Sequence, residues 1–257
     1  MGLISSLLAH PLTRSLSVDD PATTLLRREI IEQKRFLRAL YDEWYSLIIE
    51  ALPSGDRVME IGSGAGFLKS RLPHVITSEV FPGPRVDIVA DACKLPFPDK
   101  ALDAIVMTNV FHHIPDIGLF LLEATRCLRP EGRVVMIEPW RTPWSEGVYG
   151  CMHDEPFVPE AEQWALPSGK GPLSIANGAL PWIVFERDRY VFEKEYCQLR
   201  INRIQPMMPV AYLLSGGVSL RSLLPGFMYG AIRSLERLVG EKAFSMFAMI
   251  ELERRPA

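Results

Sequence analysis

The residues Val58-Met59-Glu60-Ile61-Gly62-Ser63-Gly64-Ala65-Gly66-Phe67 narrow the possible folds more than any other part of the chain. A short apolar run ends in a carboxylate, and three glycines follow at alternate positions. Glycine reaches positive φ at little cost and carries no Cβ, so such a run makes a tight turn that a ligand can approach closely. The spacing, E-x-G-x-G-x-G, differs from the G-x-G-x-x-G of dinucleotide binders because Gly66 comes one residue early. The dinucleotide fingerprint presents a helix N-terminus to a pyrophosphate. A strand feeding a glycine turn predicts an α/β sheet, in which strands and helices should alternate along the chain.

The pattern that follows has this alternation. Residues 57–61, 74–80, 86–90, 102–108 and 133–137 read as strands. The fourth, LDAIVMT, is almost wholly apolar, as a strand buried on both faces should be. Helices are expected at 24–51, 65–72 and 117–128, and Arg129-Pro130-Glu131-Gly132 reads as a turn. Past Pro139 the periodicity fades into a stretch rich in Pro, Gly and aromatics, residues 140–181. It returns as a helix at 187–196, a strand at 198–205, a helix at 226–239 and a strand at 244–253. A second irregular apolar stretch covers 206–224. Three parts follow: an N-terminal helical cap (1–56), a ligand-binding core (57–139), and insertions with the completion of the sheet (140–257).

Further landmarks follow the glycines in order. Glu79 closes the second strand, 17 residues after Gly62, where a carboxylate can accept from both ribose hydroxyls. Asp91 follows the third strand, in Ala90-Asp91-Ala92-Cys93-Lys94-Leu95-Pro96-Phe97. Asn109-Val110-Phe111-His112-His113-Ile114 follows the fourth strand, and Leu128-Arg129-Pro130-Glu131-Gly132-Arg133 precedes the fifth. In these motifs the chain resembles class I, Rossmann-like S-adenosylmethionine-dependent methyltransferases, especially the group with a type 11 methyltransferase domain. The resemblance covers residues 57–139. It implies S-adenosylmethionine as cofactor and S-adenosylhomocysteine as product. It also implies a seven-stranded, mostly parallel sheet with helices on both faces and the last strand antiparallel, here joined by the N-terminal helix and inserted lid segments. The implied cofactor-binding residues are Glu60, the Gly62, Ser63, Gly64 and Gly66 backbone, Glu79 at the ribose, Asp91 and Ala92 at the adenine, and Asn109 and Val110 along the pocket. One departure is the link from Glu79 to Asp91, too short for a helix, so Phe81-Pro82-Gly83-Pro84 must turn there and rebuild part of the adenine pocket.

The acceptor side is less determined. A histidine with a pKa of about 6.5 can take a proton from a substrate hydroxyl, so His112, His113 and His153 are candidate catalytic bases. Transfer from a sulfonium depends mainly on in-line placement, so the alternative is that the HHI run only shapes the pocket. His153, Asp154 and Glu155 form a polar cluster that no second spaced group joins, and no metal is expected. Trp140, Trp144 and Tyr149 lie just past the fifth strand, where they can stack on a substrate or form a structural aromatic cluster. Residues 206–232 are apolar for a surface insertion: core packing or a dimer face is one reading, a substrate wall or membrane-contacting lid the other.

The expected activity is O-methylation of a hydroxyl on a hydrophobic, lipid-linked, polyketide or glycosidic small molecule. C-methylation is the alternative, as is a non-catalytic protein that binds S-adenosylmethionine or S-adenosylhomocysteine. A net charge of −3 supplies no general basic field, so nucleic acid is not an expected partner. Cys93, Cys127, Cys151 and Cys197 match no C-x-x-C pattern and read as free thiols of a reducing compartment. No apolar run reaches the roughly 18–20 residues of a spanning helix, and the run at 3–9 lacks a preceding positive region. A cytoplasmic monomer or homodimer is expected, with peripheral membrane contact left open.

Overall fold

The computed structural model describes residues 21–256, apart from 65, 153, 154, 168, 170, 172, 173, 241 and 242. His153 and Asp154, singled out above, therefore lie outside the described residues. Within them the strands form one seven-stranded sheet. At its centre β1 (Val58–Ile61) lies between β2 (Ile76–Glu79) and β4 (Leu102–Thr108). β3 (Ile88–Val89) flanks β2, and β5 (Leu128–Pro139) flanks β4. β7 (Phe247–Arg254) and then β6 (Leu199–Met207) complete the order 3-2-1-4-5-7-6. The first five strands pair in parallel, and β7 runs antiparallel to both β5 and β6. The strand order reverses between β1 and β4, which opens a crevice beyond the carboxyl ends of the strands, the usual ligand position in open α/β sheets.

The period of two in β4 supplies both faces of the core. Ile105 and Met107 pack on one side with α3 (Ile117–Cys127), whereas Ala104 and Val106 pack on the other with the N-terminal helices. α3 begins where Asp116 accepts from the Leu119 amide at 3.0 Å, an N-cap. The helix expected over 24–51 is two helices, α1 (Pro21–Gln33) and α2 (Arg35–Ala51). The break is at Lys34, which leaves helical geometry (φ −91°, ψ 85°) and buries its ammonium against the carbonyls of Gly217 and Leu220. α2 then buries Phe36, Leu37, Leu40, Trp44 and Ile48 on one stripe.

The helix expected at 65–72 is replaced by a single 3₁₀ turn, Leu68–Ser70. Gly62, Gly64 and Gly66 all hold positive φ (64°, 49° and 66°), so the chain is still turning at Gly66, and Pro73 follows too soon for a helix to form. The turn expected at 129–132 lies inside β5, where Glu131 at φ 65° marks an irregularity. Gly132 is required there because a Cβ would come within 2.8 Å of the Arg129 carbonyl. β3 is shorter than the expected 86–90, and the link before it is a turn, as its prolines demand.

The insertions carry more helix than their sequence suggests: α4 (Pro143–Met152), α5 (Leu180–Trp182) running into a π turn (Ile183–Arg187), and α6 (Arg189–Glu195). α7 (Ala211–Ser215) and α8 (Tyr229–Val239) precede β7. Much of the 206–232 stretch is core packing: Met207, Met208 and Ala211 are buried beside Trp44 and Phe247, with Tyr212 and Leu214 against them. No helix among the described residues is long and apolar enough to cross a membrane. The four cysteines are free thiols.

Candidate functional site

The crevice between β1 and β4 has two ends of different construction. At the β1–β2 end, Glu60 is buried and its Oε2 has no hydrogen-bond partner among the described groups. Burial, with the Glu79 carboxylate nearby, pushes its pKa up to about 8. Ser63 Oγ is likewise buried without a partner, as is Thr108 Oγ1 at the end of β4. The Ser63 amide donates to the Ser78 carbonyl at 2.9 Å, and the Gly66 amide to the Ser63 carbonyl at 2.8 Å, which fixes the loop. Gly62 must lack a side chain, since a Cβ would sit 2.4 Å from a Val110 methyl. Gly64 is different: a Cβ there would meet only the Gly62 carbonyl at 3.8 Å, so the space before it is open. Glu79 accepts from the Gly64 amide at 2.5 Å, and burial raises its pKa.

The N-terminal helices close this end from above. Arg28 and Arg38 place their guanidinium groups over the Phe67 ring, 4.4 and 4.0 Å from its centre. Arg27 lies near enough to Glu79, Tyr41 and Tyr212 for its charge to act on each.

At the β4–β5 end the groups answer one another. Glu138, fully buried at the end of β5, accepts from the amides of Val110 (2.7 Å) and Phe111 (2.9 Å) on one oxygen. Its other oxygen lies 2.6 Å from His112 Nδ1. This carboxylate therefore shapes the whole turn after β4, whose first residue, Asn109, holds φ 56°. His113 Nδ1 meets the Ile175 carbonyl at 2.8 Å. Glu155 stands across from both rings, 3.4 Å from His112 Nε2 and 3.8 Å from His113 Nε2. Burial opposes a charge on His112, but Glu138 and Glu155 outweigh it and raise its pKa to about 9. Burial and then the neighbouring His112 lower that of His113 to about 4.

A family model described as a methyltransferase domain matches residues 59–136, from β1 into β5. Demethylmenaquinone methyltransferase of Thermus thermophilus is 30% identical over 157 residues, 53% of this chain and 67% of that protein. The chain belongs to the methyltransferase-domain family. A fatty-acid O-methyltransferase of Mycolicibacterium smegmatis is 30% identical over 132 residues, covering 44% of this chain and 47% of that one. The chain spans less than half the length of the first curated relatives it matches, 42% and 47%. Among solved structures, geranyl diphosphate C-methyltransferase of Streptomyces coelicolor A3(2) shares the fold. Its TM-score is 0.52 at 14% identity, over 96% of this chain and 90% of that one. The class I, Rossmann-like fold of S-adenosylmethionine-dependent methyltransferases is thus the fold of this methyltransferase-family chain.

The site residues expected from sequence fall into distinct places. Glu60, Gly62, Ser63, Gly64, Gly66 and Glu79 meet at the β1–β2 end, as described. Asp91 is exposed and accepts from the Cys93 amide at 2.8 Å, capping the turn in which Ala92 is buried. Asn109 and Val110 separate the two ends. Trp140 is buried in the core, and Trp144, more than a third exposed, donates to the Pro209 carbonyl at 2.8 Å. Tyr149 is buried, stacks on Phe157 and donates its hydroxyl to the Met246 carbonyl at 2.6 Å. Glu138, Glu155 as partner of the histidines, Arg27, Tyr41 and Tyr212 were not expected. For Glu138 a signal existed: a carboxylate closing an apolar strand, the same feature that drew attention to Glu60.

Proposed function

We propose that this protein binds S-adenosylmethionine at the β1–β2 end and methylates an oxygen of a hydrophobic small molecule held at the β4–β5 end. The observation that carries this reading is Glu60: a buried carboxylate oxygen without a partner, beside a glycine loop with open space at Gly64. Such an orphaned acceptor costs free energy unless a ligand answers it. When bound, S-adenosylmethionine supplies an electrophilic methyl group on a sulfonium. Glu60 and Ser63 would receive its amino-acid part, the Gly62–Gly66 backbone would border it, Glu79 would accept from the ribose, and Asp91 with Ala92 would border the adenine. Glu79 is already aimed at the loop through the Gly64 amide, and ribose hydroxyls would add donors to it.

The residues of the other end serve the acceptor. Glu138 holds His112 and the turn after β4 in one arrangement, which favours positioning of the acceptor over wide motion. His113, its Nδ1 proton held by Ile175 and its pKa lowered to about 4, leaves Nε2 unprotonated and able to help hold an oxygen acceptor. Tyr149 and Tyr212, near enough to Glu155 for its charge to act on both, and the relative named for a fatty acid support an apolar acceptor. The experiment is a thermal melt with S-adenosylmethionine, S-adenosylhomocysteine and NAD in parallel. A ligand at about 100 times its Kd adds roughly 2.7 kcal/mol of stability. Stabilisation by the two adenosyl ligands and not by NAD is expected; the reverse pattern overturns the reading. An acceptor screen led by fatty acids and other apolar hydroxyl or carboxyl compounds follows, read by S-adenosylhomocysteine release.

A further inference from the structure

The two histidines after β4 and Glu155 bring their side-chain nitrogen and oxygen atoms to one place. His112 directs Nδ1 to the Glu138 carboxylate and His113 directs Nδ1 to the Ile175 carbonyl, so each Nδ1 carries the donated proton. Nε2 is then the nitrogen left to each ring for a further partner, and both Nε2 atoms face Glu155. Acceptors from three residues converge, with one atom from each lying within 4.8 Å of the others.

We propose that His112 Nε2, His113 Nε2 and the Glu155 carboxylate bind a divalent transition-metal ion of the zinc class, with an open coordination position for an oxygen of the acceptor. Metal bonds of about 2.0–2.2 Å place tetrahedral ligand atoms about 3.4 Å apart, so Glu155, at 3.4 and 3.8 Å from the two rings, is close to ligand spacing, and the widest separation, within 4.8 Å, must close by at most about 1.4 Å. Two imidazoles and one carboxylate favour zinc, iron or manganese over magnesium, which prefers oxygen ligands. The surroundings are those of metal-bound histidines, whose second nitrogen donates to a carboxylate or a backbone carbonyl. Here one ring has each kind of partner. Glu138 acts as a positioning residue, since it orients His112 without reaching the ion position. Glu155 is partly exposed, so the ion has a path to it.

The sequence expectation of no metal considered Glu155 only with its neighbours His153 and Asp154. The fold brings it to His112 and His113, more than forty positions earlier in the chain. The proposal does not depend on the methyl donor, because none of the three ligands belongs to the glycine loop or β2.

The test uses untagged protein stripped with a chelator and titrated with Co2+, whose visible absorption reports nitrogen and oxygen ligation. One Co2+ per chain is expected, displaced by Zn2+ and indifferent to Mg2+. Glu155→Gln and His113→Gln should lose the signal, and Glu138→Gln should weaken binding by about 10–100-fold. Circular dichroism melts establish that these variants fold, and S-adenosylhomocysteine binding is measured on the same samples. No saturable spectrum at millimolar Co2+, or equal binding by folded Glu155→Gln and His113→Gln, overturns the metal site and leaves the cofactor reading standing. Normal Co2+ binding without S-adenosylhomocysteine binding supports the metal site and removes the cofactor reading.

Discussion

At the β1–β2 end of the crevice, Glu60 and Ser63 are buried with polar atoms that nothing among the described residues answers; at the β4–β5 end, Glu138 answers two amides and an imidazole at once. Both ends use a carboxylate that closes a strand. The difference lies in what surrounds it. Around Glu60 the glycine loop withdraws side chains and leaves room, whereas around Glu138 the turn after β4 folds its donors onto the carboxylate. On the proposed reading the unanswered pair is where the cofactor's amino-acid part is received, whereas the answered carboxylate holds a shape. The comparison predicts that substitutions at the two ends fail differently, one in ligand binding and the other in folding.

The largest effect should come from Glu138→Ala, which strands two buried amides and a buried imidazole. A loss of about 3–5 kcal/mol is expected, as for removal of one partner from a buried pair, and urea unfolding measures it. A loss under 1 kcal/mol would mean that the turn after β4 stands without this carboxylate. Gly64→Leu should leave the fold nearly intact and remove the S-adenosylhomocysteine stabilisation of roughly 2.7 kcal/mol at 100 times Kd. Its Cβ meets open space, although φ 49° makes the backbone less comfortable. Wild-type affinity would move the pocket elsewhere. Glu79→Ala should weaken S-adenosylhomocysteine by about 1.5–3 kcal/mol, the worth of a hydrogen bond to a charged group; calorimetry decides, and an unchanged Kd would assign the ribose to another residue.

A smaller effect concerns protons. With its pKa at about 8, Glu60 is mostly protonated at neutral pH in the free protein. An incoming ammonium group favours the carboxylate, so binding should release a proton, and affinity should rise as pH increases towards 8. The slope is at most about tenfold per pH unit, as each unit is worth 1.36 kcal/mol. Calorimetry in buffers of different ionisation enthalpy detects the release, and a pH-independent Kd without it would place the ammonium away from Glu60.

Much of the β1–β2 end was legible in the sequence because its parts are local. The three glycines and Glu60 sit within one strand and one turn, and Glu79 closes the next strand. The succession of strands along the chain and the apolar β4 were equally direct. The missing helix after Gly66 was not, since three positive-φ glycines and an early Pro73 count only when read together. The β4–β5 end escaped for a different reason. Glu155 and Ile175 reach the histidines across the inserted segment, and the split of the first helix depends on Lys34 meeting carbonyls about 180 residues later in the chain. Contacts of that range leave no period or spacing behind.

With no helix backing the glycine loop, its outer support is Phe67 held under Arg28 and Arg38. If the loop holds a ligand as proposed, the cap would act as a latch on it, and the lifetime of those two contacts would bear on how long the ligand stays in place. Turnover limited by its departure would quicken under mild conditions that loosen guanidinium–ring contacts, well before the sheet itself gives way.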